Sequence, residues 1–209
     1  MLGERWTLLI IRELLLGPKR FTDIKRRLGG VSTSVLTERL MRLEDSGVVG
    51  RSVLAPPAAS TVYELTSSGR ALEPAVHALV RWGAQYLMPL RPGEPMEPDW
   101  LRMVLTAYAR ETRSPAQRYE IRVRSNGAEA VMHVAGGAKG TTVAEAGRPS
   151  NVRFAISGED LLSLMAGRIR PADAVRDGRI EAEGDLSALD VFSELFDTAM
   201  SEGGVDVKG

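Results

Sequence analysis

The chain of 209 residues contains no cysteine. This absence excludes disulfide bonds, thiol redox chemistry, thiolate metal ligands and cysteine nucleophiles within these residues. Histidine is scarce as well, since only His77 and His133 are present. Two histidines without cysteine argue against a zinc site, and no nucleophile pattern lies beside His77. We therefore expect a protein that is not an enzyme and that needs neither a metal nor a cofactor.

Long hydrophobic runs are also missing. No apolar segment approaches the roughly 20 residues that a membrane-spanning helix needs, and no signal-peptide pattern opens the sequence. A hydrophobic content of 44% with 26% charged residues is ordinary for a globular protein. We expect a cytoplasmic protein with no membrane span.

The chain has no net charge, but its two halves differ. Residues 1–88 contain 12 Lys and Arg against 8 Asp and Glu, whereas residues 89–209 contain 15 against 19. A basic first half favours a polyanionic partner, which the acidic second half would repel.

A proline-rich segment separates these halves. Pro89, Pro92, Pro95 and Pro98 fall within ten residues, which excludes a helix and favours an extended spacer. We predict a first domain over 1–88, a linker over 89–98, a second domain over 99–202 and a tail over 203–209.

Residues 21–65 have the pattern of a DNA-binding head. A short helix from Phe21 to Leu28 is followed by Gly29-Gly30, and a second helix opens at Ser32 and stops at Gly47. Two strand-like segments follow, one on each side of Pro56-Pro57. Helix, tight turn, helix and β-ribbon is the order of a winged helix-turn-helix, in which the second helix enters the major groove.

Helical periodicity separates two faces of the second helix. Leu36, Leu40 and Leu43 recur at i, i+4 and i+7 and are predicted to face the core. The opposite face carries Ser34, Glu38, Met41, Arg42 and Asp45, with Thr33 and Thr37 at its flank. From this face, the helix start and the neighbouring basic residues, we predict that DNA is contacted by Lys19, Arg20, Ser32, Thr33, Ser34, Thr37, Glu38, Arg39, Arg42 and Arg51. The basic members are expected to contact phosphates, as Lys25 and Arg26 could, whereas the alternative for any one arginine is a solvated surface charge.

Two further helices of the first domain are rich in apolar residues. Residues 2–16 are apolar on most of their surface, which indicates burial in a core or against a partner subunit. Residues 70–87 are also predicted to be helical, with Leu72, Val76, Leu79, Gly83 and Tyr86 on one face. This face exceeds what a small winged helix must cover, so we expect a homodimer contact, with a plain core helix as the alternative.

After the linker the pattern changes to strands and helices in succession. A helix begins at Asp99, an alternating strand covers 119–124, and Asn126-Gly127 is typical of a hairpin turn. Strands are predicted near 130–134, 141–145, 152–157 and 179–183, and helices from Gly158 to Gly167, over 171–176 and over 185–200. The predicted fold class is therefore α+β throughout, a winged helix-turn-helix followed by an α+β domain.

The first domain resembles a known family. Residues 2–21, which begin Leu2-Gly-Glu-Arg-Trp, are similar to the opening signature of HxlR-type winged-helix transcriptional regulators. The rest of that pattern follows in order at Val31-Ser32, Leu36-Thr37, Arg39-Leu40, Leu43-Glu44, Gly47-Val48, Tyr63-Glu-Leu-Thr66, Gly69 and Trp82-Gly83. The resemblance implies a homodimeric regulator that reads an inverted-repeat operator in double-stranded DNA.

The sequence departs from the family's usual pattern at its start. Family members usually have a further N-terminal segment, often with a cysteine that senses oxidants or electrophiles. Here the sequence opens inside the first helix and lacks cysteine, so we expect no thiol sensing and an altered dimer arm.

The second domain is similar to sterol carrier protein domains. The resemblance is carried by residues 154–196, including Gly167-Arg-Ile…Pro171 and Gly178-Arg-Ile-Glu-Ala-Glu-Gly-Asp185. It implies an apolar ligand, such as a fatty or sterol-like molecule, and candidate lining residues are Met103, Met132, Phe154, Leu161, Leu164, Met165, Phe192, Leu195 and Phe196. Apolar residues at helical spacing can equally form a packed core, in which case the domain only dimerises.

Two further interpretations remain. Residues 136–141, Gly-Gly-Ala-Lys-Gly-Thr, resemble a phosphate loop only superficially, since a strand and not a helix is predicted to follow, and we expect a hairpin connection. For the whole chain, we expect a ligand-responsive transcriptional regulator. The alternative is a lipid-binding carrier or scaffold whose winged helix contacts other proteins.

Overall fold

The computed structural model describes residues 3–53, 60–87, 98–125 and 128–198. It divides into two compact units, Met1–Leu79 and Val80–Gly209. The wing tip at Pro56-Pro57, the hairpin turn Asn126-Gly127, the predicted linker except Pro98, and the tail lie outside the described residues, so the predicted domain boundaries stay a prediction. In the part of the chain that is described, no helix is long and apolar enough to cross a membrane.

The first unit contains the predicted succession of helices and wing strands. Its elements are α1 (Thr7–Leu15), α2 (Phe21–Leu28), α3 (Thr33–Asp45), β1 (Val49–Val53), β2 (Thr61–Leu65) and α4 (Ser67–Arg70), after which α5 (Glu73–Leu87) follows. Strands β1 and β2 are antiparallel, with Val49 opposite Leu65 and Val53 opposite Thr61. This order confirms the predicted winged helix-turn-helix.

A core of branched aliphatic side chains holds the first unit together. Its most buried members are Ile10, Ile11, Leu14, Ile24, Leu36, Leu40 and Leu43. They recur with helical spacing on α1 and α3, so each helix buries one face against the others. Leu8 and Leu9, the neighbours of Ile10 on α1, are each 37% exposed.

One carboxylate is buried beside this core. Glu13 on α1 is 3% exposed, and it accepts hydrogen bonds of 2.6 Å from Arg12 Nη2 and from Arg27 Nε at the end of α2. Burial by itself raises the pKa of Glu13, but the hydrogen bonds from Arg27 and Arg12 outweigh it and bring the pKa below its ordinary value of 4.5. The ion pair therefore ties α2 to α1.

The helix predicted over 70–87 is two helices in the structure. Thr66 caps α4, its Oγ1 accepting from the Gly69 amide at 3.2 Å. A side chain at position 69 would collide with the carbonyl oxygen of Val48, so glycine permits α4 to pack directly on the wing. The chain then turns at Ala71 and Leu72 before α5 begins.

The second unit is built from one sheet and the helices that cover it. Its elements are α6 (Pro98–Tyr108), β3 (Arg118–Ser125), β4 (Ala128–Ala135), β5 (Thr142–Ala144), β6 (Val152–Ser157), α7 (Gly158–Met165), α8 (Pro171–Arg176), β7 (Ile180–Gly184) and a closing 3-10 helix (Leu186–Leu195). The strand order is β5-β4-β3-β6-β7, and the pairing of β3 with β6 is parallel whereas the other pairings are antiparallel. The α+β prediction is confirmed.

The two faces of this sheet differ in chemistry. On β3, Tyr119, Ile121 and Val123 are fully buried, whereas the alternate residues include the exposed Arg122 and Arg124. This period of two is typical of a sheet with one face on a core and one in solvent. The exposed face carries cross-strand ion pairs, such as Arg124 with Glu181 at 3.0 Å.

An aromatic cluster occupies the centre of the buried face. The ring of Phe192 lies 5.0 Å from that of Tyr119, 5.7 Å from Phe154 and 5.3 Å from Phe196, with edge-on or tilted geometry. The hydroxyl of Tyr119 donates to the carbonyl oxygen of Ala188 at 2.6 Å, which satisfies its one polar group. Burial raises the pKa of Tyr119, so this hydroxyl stays a donor.

The last helix differs from its prediction. The sequence predicts a helix over 185–200, but the 3-10 helix ends at Leu195 and Phe196 forms a bridge with Ala109. The amide of Arg110 donates to the carbonyl of Leu195 at 3.0 Å, and the amide of Asp197 donates to that of Tyr108 at 2.8 Å. These long-range partners take backbone groups that a continuing helix would need.

The Gly136–Thr141 segment is a hairpin connection between β4 and β5, as expected. Ser114 stabilises it, because its Oγ accepts from the Gly137 amide at 3.1 Å and lies 3.1 Å from Thr141 Oγ1. A lysine in this loop is therefore part of a tight turn and not of a phosphate cradle.

The buried ion pair predicts a pH-dependent loss of stability. We expect Glu13→Gln to lower the free energy of unfolding by about 2 kcal/mol near pH 7, because two partly buried arginines lose their counterion. Since the pKa of Glu13 is depressed in the folded state, its contribution is present above the ordinary pKa and is lost as pH falls through the folded-state pKa. Urea unfolding should therefore show the gap between wild type and variant narrowing as the pH falls below the ordinary pKa of 4.5. The exposed Asp45→Asn serves as control, and a gap that is constant with pH would contradict this account.

The hairpin connection offers a second stability test with a matched control. In Gly136→Ala the new Cβ would lie 2.5 Å from Leu195 Cδ2 and 2.8 Å from Ser114 Oγ, and closer still to the carbonyl oxygen of Pro115. We expect this variant to lose about 2–3 kcal/mol of stability through overpacking. A Cβ at Gly137 would meet nothing within 4 Å, so Gly137→Ala should stay within about 0.5 kcal/mol of wild type. Differential scanning calorimetry of the two variants measures this contrast, and equal losses would refute it.

Candidate nucleic-acid interface and candidate ligand pocket

The helix-turn-helix is formed by α2, a glycine turn and α3. Gly29 and Gly30 have φ values of 53° and 70°, which are accessible to glycine at little cost and allow the sharp reversal between the helices. Ser32 caps α3, its Oγ accepting from the Val35 amide at 3.2 Å. The turn and the cap together fix the position of the first residues of α3 relative to α2.

The predicted reading face of α3 is exposed along its start. Leu36, Leu40 and Leu43 are buried on one side, as the spacing predicts. The small hydroxyl residues predicted to reach bases lie exposed on the protein surface, and these are Ser32, Thr33, Ser34 and Thr37. Helix α3 therefore presents a surface of short polar side chains, which allows a close approach between the helix and base edges.

A lysine of α2 is joined to this surface. Lys25 Nζ donates to the hydroxyl of Thr33 at 2.6 Å, which links the two helices across the turn. Its charge is thereby held at the start of α3, where backbone amides and the positive end of the helix dipole also favour an anion.

The two arginines of α3 are engaged by carboxylates. Arg42 lies 3.0 Å from Glu4 and 2.8 Å from Glu38, one turn earlier on the helix. Arg39 pairs with the same two carboxylates, at 3.4 Å from Glu38. A phosphate that contacts either arginine must therefore compete with an internal carboxylate. The spacing of Glu38 and Arg42 indicates their pairing in advance, whereas no sequence signal brings Glu4 to this site.

The wing arginine is paired in the same way. Arg51 on β1 contacts Glu44 at 2.6 Å and lies 5.1 Å from the centre of the Tyr63 ring. The hydrogen bond to Glu44 raises the pKa of Arg51, so the side chain is firmly cationic. It lies exposed beside the end of α3.

The remaining basic candidates lie between α1 and α2. The backbone of Lys19 exchanges hydrogen bonds of 3.0 and 2.8 Å with Tyr63 on β2, which places this segment against the wing. Arg20 follows and is exposed immediately before α2. All ten predicted DNA-contacting residues thus lie within the first unit, on or beside the helix-turn-helix and wing.

The predicted ligand-lining residues are core residues of the second unit. None of the nine is more than 3% exposed. Eight of them belong to one contiguous hydrophobic cluster, and these are Met132, Phe154, Leu161, Leu164, Met165, Phe192, Leu195 and Phe196. Met103 is also buried but lies outside that cluster. Tyr119, at the centre of the aromatic group, is not among the predicted residues because its alternating strand pattern indicates burial and no particular role.

The histidines and acidic residues form no reactive arrangement that the described residues reveal. His77 Nε2 lies 3.8 Å from Glu73 on the same helix. Across the described ranges, no group of three or more His, Asp or Glu side chains could hold a metal ion.

Two known families match the two parts of the chain. The family described as "HxlR-like helix-turn-helix" matches residues 1–91, and the "SCP-2 sterol transfer family" matches residues 105–197. The transcriptional regulators YvaP and YodB of Bacillus subtilis are each 38% identical to the chain over 89 residues. These residues are 43% of this chain, and 82% of YvaP and 80% of YodB.

Solved structures of such regulators match the same part. The reduced form of YodB has 38% sequence identity and a TM-score of 0.37, covering 43% of this chain and 88% of that chain. The redox regulator HypR in its oxidized form has 32% identity and a TM-score of 0.37, covering 40% and 86% respectively.

The chain is 38% identical to two regulators over about four fifths of their length, and the family model matches residues 1–91. The winged helix-turn-helix described above agrees with both findings. The chain therefore belongs to the HxlR-like helix-turn-helix family of DNA-binding transcriptional regulators, and its second part is a domain of the SCP-2 sterol transfer family.

Proposed function

We propose that the chain binds an operator with α3 in the major groove and the wing beside the DNA backbone. The observation that supports this best is the exposed hydroxyl surface of α3, which lies opposite its buried leucines. Ser32, Thr33, Ser34 and Thr37 are the proposed contacts near the start of the helix, with Glu38 one turn further on. Small side chains at this place let a helix approach base edges.

The proposed phosphate contacts are Lys19, Arg20, Arg39, Arg42 and Arg51. Three of these arginines carry carboxylate partners, so DNA binding exchanges an internal ion pair for an arginine–phosphate pair. Such an exchange weakens nonspecific affinity and leaves the contacts dependent on correct placement of the phosphates. We propose that this competition is a source of selectivity.

We also propose a homodimer that reads an inverted repeat. Leu8 and Leu9 on α1 are each 37% exposed and Leu79 is 51% exposed. Aliphatic side chains at this exposure are suited to a contact between subunits. The YodB and YvaP relatives are bacterial regulators, and we propose that this chain likewise acts in the cytoplasm, without enzymatic activity, metal or cofactor.

The carboxylate partners give the DNA-binding proposal a two-sided test. Arg42→Gln is expected to weaken binding to a selected operator about tenfold, and to lower the slope of log affinity against log salt by about one, since it removes a single arginine–phosphate pair. Glu4→Gln is expected to strengthen binding about threefold, because it releases Arg42 and Arg39 for phosphate. Fluorescence anisotropy at several salt concentrations measures both effects, and stoichiometric titration should give two chains per inverted repeat.

Arg176→Gln is the matched control, since Arg176 pairs with Asp173 at 2.8 Å on an exposed helix of the second unit. It should leave affinity and salt slope unchanged. If Arg42→Gln behaves like this control, the proposed phosphate contact is wrong, and if wild type binds no duplex, the carrier or scaffold alternative replaces the regulator.

For the second domain we propose an apolar ligand that modulates operator affinity. The cluster of predicted lining residues is entirely apolar and includes two flexible methionines, which adapt readily to a guest molecule. Phe192 and Leu195 belong to the closing 3-10 helix, whose end is held by the Arg110–Leu195 and Asp197–Tyr108 hydrogen bonds. We propose that this helix shifts outward when a ligand enters, because the ring of Phe192 occupies the centre of the cluster.

Oleate provides a direct test of this ligand proposal. We expect native mass spectrometry to show one oleate per chain, and the operator affinity of the loaded protein to change by at least about fivefold. Butyrate, with the same carboxylate but little apolar surface, should have neither effect. Equal operator affinity with and without bound oleate would refute the proposed response to this fatty acid, because a ligand shifts an equilibrium only through unequal affinity for its two states. The domain would then serve dimerisation.

A further inference from the structure

Met41 is a large apolar side chain in the middle of the DNA-facing surface of α3. It is 51% exposed. A scattered exposed methionine needs no special explanation on a protein surface. This one differs because of its position on a helix that belongs to a DNA-reading motif.

Helical geometry places Met41 among the proposed base contacts. Thr33, Thr37 and Met41 follow one another at i, i+4 and i+8, which puts them in one row along the helix. Around the helix axis, Met41 lies between Thr37 on one side and Ser34 on the other. All of these residues are exposed. Met41 therefore lies one turn beyond Thr37, where the helix continues along the groove.

The charged neighbours of Met41 are occupied. Arg42 is held by Glu4 at 3.0 Å and Glu38 at 2.8 Å, and Arg39 is paired with the same carboxylates. Bidentate recognition of guanine by either arginine would break these pairs. Thr37 and Met41, in contrast, can meet a base edge with no ion pair broken.

We propose that Met41 is a specificity-determining residue that recognises the 5-methyl group of a thymine in each operator half-site. The thymine methyl is the apolar group that the major groove presents, and it is absent from cytosine and uracil. An unbranched thioether side chain reaches outward from a helix and adapts to such a target. This proposal rests on the proposed DNA-binding function and adds to it the base that α3 reads.

The experiment begins with selection of duplexes from a random pool by the purified full-length protein. Each thymine of the enriched half-site is then replaced in turn by deoxyuridine, which removes the methyl group and keeps the base pair. At one thymine, methyl removal should weaken wild-type binding about fourfold per half-site, the effect of exposing one methyl-sized group. Met41→Ala should bind the original duplex more weakly and show no further loss on that replacement.

Two variants separate recognition from general damage. Met41→Leu keeps an apolar side chain of similar volume, and it should retain the sensitivity to methyl removal. Val131→Ala shortens a residue that is 39% exposed on the sheet of the second unit, and it should behave as wild type on every duplex. Because Met41 is exposed and alanine favours a helix, Met41→Ala should fold normally, which circular dichroism verifies.

The outcomes distinguish the role of Met41 from the DNA-binding proposal on which it rests. If no duplex is enriched, the DNA-binding proposal fails and this one fails with it. If a duplex is enriched but its half-site contains no thymine, or if wild type and Met41→Ala lose equally at every replacement, DNA binding stands and the role of Met41 is refuted. The proposal is supported if Met41→Ala loses its sensitivity to methyl removal while Met41→Leu retains that sensitivity.

Discussion

Burial of the leucine face of α3 is the constraint on which the geometry of the proposed DNA-contacting face depends. Leu36, Leu40 and Leu43 are at most 1% exposed, and their free energy of burial outweighs any preference of the polar residues between them. A helix that must bury one face has no freedom to rotate about its axis. The orientation of the exposed row from Thr33 to Met41 is therefore determined by side chains that are buried in the protein. The turn at Gly29 and Gly30, the cap at Ser32 and the wing beneath α3 serve to hold this orientation.

Ion pairs in the first unit have different consequences according to their surroundings. The pair of Glu13 with Arg27 is sheltered, so it ties two helices together and cannot be exchanged without a loss of stability. The pairs of Arg42 are more exposed, since this side chain is 53% accessible. Exposed pairs contribute little to stability, and their partners are readily replaced. The same chemistry is thus structural on one side of the helix-turn-helix and available for exchange on the other.

In the second domain, the packing of the core and the proposed binding of a ligand oppose one another. Its aromatic cluster is packed around Phe192 with edge-on contacts that stabilise the sheet and its covering helices. A ligand that enters the same region must replace those contacts with its own. The proposed site is therefore a packed core and not an empty tunnel, and the proposed point of entry is the closing 3-10 helix. Coupling between occupancy and conformation follows naturally from this arrangement, because an apolar guest cannot enter without displacing protein side chains.

The sequence alone determined most of the local structure and the family. Helix α2 lies within the predicted residues and is followed by the Gly29-Gly30 turn, helix α8 begins at Pro171 and is followed by Gly178, and the buried face of β3 follows from its alternating pattern. The buried face of α3 was equally predictable, since helical periodicity is a local property.

The tertiary structure decided what depends on distant neighbours. The chain leaves the helix after Leu195 because the backbone of Tyr108 and Arg110 hydrogen-bonds to Leu195 and Asp197, and Phe196 forms a bridge with Ala109. Glu4 reaches Arg42 across 38 residues of sequence, and eight of the nine apolar candidates join one core whereas Met103 stays apart. Propensity and periodicity act over a few residues, whereas these contacts depend on how separate elements pack.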